Sequence, residues 1–128
     1  MKTLNDLSDA AAAESPNKTF LATKDEAITF AQFKELVLKI SAGFAGRDIK
    51  KGDCVAIVHR NSPIFVAAYF ALARLGAVAV PINFMVQKAD ELAYMLGDCG
   101  AKGVVTQNEF LPGLTAAAAK CPELKALW

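Results

Sequence analysis

A single histidine and only three cysteines stand in these 128 residues, and the cysteines, Cys54, Cys99 and Cys121, are far apart with no histidine at ligand spacing. That scarcity excludes a zinc-finger type of metal site, and the odd count excludes a disulfide framework. It is the cysteine usage of a reducing cytoplasm, with each thiol acting as a small hydrophobe. Charge of one sign is also missing: the formal net charge is +1, the isoelectric point is about 7.7, and acids and bases are interspersed. There is no electrostatic footprint for nucleic acid or anionic lipid, and Lys50-Lys51 belongs to a turn, not a patch. Phosphate-binding glycine loops are absent too. "GAKG" at 100–103 is a helix stop before a strand, and "AGFAGRD" at 42–48 fits close helix packing at Gly43 and termination at Gly46. The opening "MKTLNDLSDAAAAES" has acids at Asp6, Asp9 and Glu14 and no apolar core, unlike a signal or transit peptide. Linkers, low-complexity tracts and internal repeats are lacking, so one domain is expected.

What is plentiful is hydrophobicity, at 54% of residues with a mean hydropathy of +0.30. The run from Pro63 to Ile82 carries one charge, Arg74, and has the length of a membrane span. Arginine near the centre of a span costs roughly 2.5 to 3.5 kcal/mol, while each Ile, Leu, Val or Phe returns roughly 0.3 to 0.6 kcal/mol, so insertion is marginal. A division at Gly76 explains the run better. Ser62-Pro63 is an N-cap followed by a first-turn proline, Gly76 is a helix stop, and Ala77 to Val80 is a short strand closed by Pro81. The pattern predicts a helix over 63–75 and a strand buried on both faces.

The rest of the chain follows the same logic. Thr3 or Asn5 starts a helix with Leu4, Leu7 and Ala11 on one face, ended by Pro16. "TFLATKDEAITF" reads as a β-hairpin around Lys24-Asp25-Glu26. Thr29 and Gln32 stand at capping-box spacing, with Ile28 and Phe33 as a hydrophobic staple, so an amphipathic helix begins at about Phe30 and runs to Gly46. Cys54 to Val58 is an uninterrupted apolar run, like a central parallel strand. A helix over about 88–98, with Asp90 and Glu91 in its first turn, precedes a strand at Gly103 to Thr106. An alanine-rich helix over roughly 112–120 leads to "ELKALW", the start of another strand. The expected architecture is α/β: three layers, a mostly parallel sheet with a βαβαβ core (strands about 53–58, 77–80 and 103–106), and an N-terminal hairpin.

In such sheets ligands gather beyond the carboxyl ends of the strands. Here that means His59-Arg60-Asn61-Ser62, Ile82-Asn83 and Gln107-Asn108, three loops expected on one rim. Imidazole can act as acid or base and guanidinium can clamp an anion. Against that, Ser62 caps a helix, His59 and Arg60 fall on a solvated edge, and His59 has no carboxylate partner close in sequence. No residue is assigned a catalytic, cofactor-binding or metal-binding role.

The order of residues says more than any spacing. "ITFAQF" at 28–33, "IKKGDCVAIVHRNSPIFVAAYFALARLGAVAVPIN" at 49–83 and "ADELAYMLGDCGAKGVVT" at 89–106 resemble, collinearly over roughly residues 18–128, the start of an adenylate-forming enzyme, in particular an acyl-CoA synthetase. Departures fall at Phe84-Met85 and Gln87-Lys88, in the loop 83–88. The resemblance implies a two-step reaction, in which a carboxylate and ATP give acyl-adenylate and pyrophosphate, and a thiol, usually coenzyme A, then displaces AMP. Mg²⁺ would neutralise phosphate charge. The family's nucleotide-binding loop, acidic ribose contact and catalytic lysine lie downstream of these motifs and none is in this sequence. Residues 1–128 are therefore expected to be a partial N-terminal subdomain, inactive alone, binding no cofactor itself, partnered by the rest of a ligase chain that takes a carboxylic acid such as a fatty acid. Its apolar excess implies self-association in isolation. Alternatives are a complete small α/β interaction module, and a luciferase-like or peptide-synthetase relative.

Overall fold

The computed structural model describes residues 3–128. Helix α1 (Leu4–Glu14) starts in a capping box: Thr3 Oγ1 accepts from the amide of Asp6, and the Asp6 carboxylate accepts from the amide of Thr3. The hairpin β1 (Thr19–Ala22) and β2 (Ala27–Thr29) pairs antiparallel. It runs directly into α2 (Phe30–Gly46), whose cap is again reciprocal, with Gln32 N donating to Thr29 Oγ1 at 3.1 Å and Thr29 N to Gln32 Oε1 at 2.9 Å. Then come β3 (Cys54–Val58), α3 (Pro63–Leu75), β4 (Val78–Pro81), α4 (Ala89–Asp98), β5 (Gly103–Thr106), a 3₁₀ turn at Asn108–Phe110, α5 (Leu111–Ala118) and β6 (Ala126–Leu127).

The four later strands form one parallel sheet in the order β4-β3-β5-β6, with Val55 opposite both Ala79 and Gly103. Alternation along β3 serves both faces, as a central parallel strand requires. Val55 and Ile57 pack with Phe33, Val37, Phe44, Ala67, Ala71 and Leu72 under α2 and α3. Ala56 and Val58 pack with Leu92, Leu96, Phe110 and Leu114 under α4 and α5. The result is helix, sheet, helix. Small alanines in α3 let it lie close to α2, and the buried Ser41 hydroxyl donates to Ala71 O at 3.2 Å.

The hydrophobic run of α3 and β4 is thus a helix and a strand, and no helix among the described residues is long and apolar enough to cross a membrane. Its one charge has a partner: Arg74 donates to Asp9 of α1 at 2.7 Å, and that hydrogen bond holds the Asp9 carboxyl below its usual range. The stop at Gly76 is left-handed, at φ 71°.

Three expectations need correction. Strand β4 is not buried on both faces: it is the sheet's border, and Val78 is 46% exposed. Strand order decides this, and a border strand tolerates Pro81. Helix α1 turns Ser8 and Ala12 inward instead of the Leu4 and Leu7 face; Leu7 is 45% exposed and, with Ala11, edges a shallow apolar recess against Phe20 and Phe70. Gly43 serves no close packing, since a Cβ there would meet nothing within 4 Å. Helix α2 does end at Gly46, with Arg47 as its C-cap, and the left-handed residue that follows is Asp48, at φ 64°.

Candidate functional site at the carboxyl rim of the sheet

The three loops beyond β3, β4 and β5 do meet, and Arg60 holds them together. Its amide donates to Gln107 Oε1 at 2.7 Å. Its guanidinium grips Glu109 with both arms, Nε to Oε1 at 2.5 Å and NH2 to Oε2 at 3.0 Å. The same guanidinium lies 4.8 Å from the ring centre of Phe84 and 5.8 Å from that of Phe110, within cation–π range. Glu109 stands on the 3₁₀ turn that follows β5, and Phe84 on the loop that follows β4.

That loop, the part of the chain hardest to place from sequence, is defined locally. Asn83 closes it as an Asx turn, accepting the Met85 amide on Oδ1 at 2.9 Å and the Val86 amide on its carbonyl at 3.0 Å. Further on, the Gln87 carbonyl sits where a Cβ on Gly113 would come within 2.8 Å, so the missing side chain of Gly113 admits the loop onto α5. Two recesses flank Arg60. One, of about 230 Å³, is lined by His59, Asn61, Phe65, Ile82, Asn83 and Phe84. The other, of about 300 Å³, lies between Val58, Gln87, Glu109, Phe110 and Gly113.

The electrostatics are self-contained. The Arg60 hydrogen bond holds the Glu109 carboxyl below its ordinary range, and Glu109 raises Arg60 in return, so both stay charged and each neutralises the other. The anion clamp that Arg60 offers in sequence is therefore already occupied, by a carboxylate 49 residues away. His59 Nδ1 lies 2.8 Å from the Arg60 carbonyl, which can only accept, so that nitrogen carries the proton. Ser62 Oγ is 3.3 Å from the same nitrogen and accepts the Phe65 amide as the cap of α3. A serine nucleophile would need a lone pair on the nitrogen facing it, so Ser62 and His59 do not form a nucleophile–base pair.

No group of three or more His, Cys, Asp or Glu side chains able to hold a metal ion occurs among the described residues. Gly100 of "GAKG" is a left-handed helix stop at φ 62°, not part of a phosphate cradle. No chemical step is assigned to the chain's own residues. Glu109 and Phe110 escape sequence reading, because nothing local distinguishes them from solvated or core residues, and Phe84 shows there only as a departure from the family pattern.

Residues 8–127 match the family described as AMP-binding enzyme. Over 128 residues the chain is 34% identical to the mitochondrial medium-chain acyl-CoA ligase ACSF2 of Rattus norvegicus, covering 97% of this chain and 21% of the relative. It is 35% identical over 96 residues to the long-chain-fatty-acid–CoA ligase FadD13 of Mycobacterium tuberculosis, covering 75% of this chain and 19% of that protein. Among solved structures, the anthranilate CoA ligase AuaEII in complex with anthranoyl-AMP superposes with a TM-score of 0.92 at 30% identity, over 98% of this chain and 24% of that one. The chain spans about a fifth of the length of these curated relatives.

Proposed function

The chain belongs to the AMP-binding enzyme family, and on that premise we propose that it is the N-terminal scaffold of an ATP-dependent acyl-CoA synthetase and has no catalytic activity by itself. The reaction of the whole ligase is activation of a carboxylic acid, such as a fatty acid, by ATP to acyl-adenylate and pyrophosphate, followed by transfer of the acyl group to coenzyme A. One observation carries the reading: an α/β unit that superposes on an acyl-CoA ligase nearly end to end holds a rim whose Arg60 and Glu109 are already paired with each other.

In this reading residues 1–128 act as one partial subdomain. The sheet gives rigid support, and Arg60 with Glu109 and Phe84 fixes the rim loops against which the remainder of a ligase is built. Nucleotide, Mg²⁺ and coenzyme A are held by that remainder, and the site of action is the cytoplasm.

Carboxylate-dependent ATP–pyrophosphate exchange tests both halves. The isolated chain, given ATP, Mg²⁺ and a panel of medium-chain, long-chain and aromatic acids, is expected to show no exchange. Substituted for the corresponding segment of FadD13, it is expected to leave that enzyme's exchange intact. Exchange by the chain alone, or a dead but folded chimera, would overturn the proposal.

A further inference from the structure

The opposite end of the sheet carries two half-buried free thiols that the rim does not use. Cys54 opens β3 and Cys99 closes α4. The connection between them in space is short. After Cys99 the chain reverses at Gly100, Ala101 N returns to Leu96 O at 3.0 Å, and Lys102 N donates to the carbonyl of Cys54 itself at 2.8 Å. The segment bearing Cys99 is thus tied to the backbone of Cys54 within three residues.

The pleat decides which way Cys54 projects. Val55 and Ile57 belong to the layer of α2 and α3, and Ala56 and Val58 to that of α4 and α5, so alternation sends Cys54 to the α4–α5 side. Cys99 packs on that same side. Burial first, and then the Cys54 group, push the Cys99 thiol above its ordinary value, and that thiol donates to the Leu96 carbonyl at 3.6 Å at the foot of α4. Cys121 is placed differently: it is buried under α4, with its thiol on the Ala93 carbonyl at 3.6 Å.

We propose that Cys54 and Cys99 are a modification site, closing an intramolecular disulfide that joins the start of β3 to the end of α4 when the protein meets a peroxide. The Cys54 thiolate attacks one oxygen of hydrogen peroxide, the O–O bond breaks, and hydroxide leaves and becomes water on protonation, leaving a sulfenic acid. The Cys99 thiolate then attacks the Cys54 sulfur, the S–S bond forms, the S–O bond breaks, and a second hydroxide takes up a proton. Two thiols lose two electrons and two protons, and peroxide becomes two waters. Because the Cys99 thiol sits above its ordinary value, ring closure quickens toward alkaline pH.

The test is peptide mapping of the unaltered chain, reduced, exposed to hydrogen peroxide and then blocked with N-ethylmaleimide. The expected product is lighter by two hydrogens before blocking, takes up maleimide at Cys121 alone, contains a Cys54–Cys99 linked peptide, and reverts with dithiothreitol. Cys54→Ser and Cys99→Ser each remove that species and Cys121→Ser keeps it. Maleimide on all three cysteines after peroxide, irreversible sulfinic acid at either position, bridges to Cys121, or bridges only between chains would each overturn the assignment.

Discussion

Gly103 lacks a side chain because the indole of Trp128 occupies that space: a Cβ built there would lie 2.3 Å from Trp128 Cζ3. The ring is held from its other side by Phe44, edge to face at 4.9 Å between centroids. We expect Gly103→Ala to cost about 1–3 kcal/mol through displacement of the indole. Chemical denaturation reads the loss, and Trp128, the only tryptophan, reports the displacement by fluorescence. In a Trp128→Ala background the same substitution should cost much less. Arg60 and Glu109 give a second prediction at this scale. The Glu109 carboxyl ordinarily titrates near 4.5 and is lowered in the folded chain, so the pair's contribution is present above that value and is lost as pH falls through the lower, folded one. Urea denaturation of wild type and Glu109→Gln should differ near neutrality and converge in acid. Other lowered carboxylates, Asp9, Asp53 and Asp90, are common to both proteins and cancel in the difference. Neither contact is legible in sequence: Gly103 and Trp128 look like a strand opening and a tail, and a carboxylate 49 residues from its guanidinium leaves no local pattern.

At the scale of elements the sequence is far more explicit, because caps and periodicity are local. Thr29 with Gln32, Ser62 with Pro63, and Gly76 mark the ends of α2 and α3 where the structure has them. Thr29→Ala removes one bond of a reciprocal cap and Ser62→Ala the single side-chain cap bond of α3, and each should cost about 0.5–2 kcal/mol in thermal or urea unfolding, with no change in the slope against denaturant. Thr29→Ser should restore most of the loss. Helix α5 is displaced in sequence by a residue or two, as helix ends are, and its 3₁₀ lead-in is not anticipated at all. The larger miss is β4. Four apolar residues before a proline read equally well as a central or a border strand, and only pairing order, a long-range property, decides between them.

For the whole molecule, two cores on either side of one sheet account for much of the apolar excess, yet large side chains remain outside: Leu38, Ile64, Val78, Met85 and Tyr94, the last 75% exposed. With border strands at β4 and β6 as well, the isolated chain is expected to self-associate, seen as a light-scattering mass that rises with concentration. A constant monomer mass at high concentration would count against the scaffold reading of that surface. The α/β architecture and its parallel order of helix and strand are legible in sequence because each crossover repeats the same grammar; the closure of the rim is not, because it depends on three loops meeting.

Residue 128 fills the space over Gly103, and its backbone also bonds Val104 and Thr106. Removing the indole, as in Trp128→Ala, would do more than trim a surface. It would leave an empty berth between Phe44 and Gly103, so quality control that senses loose cores would have something to find.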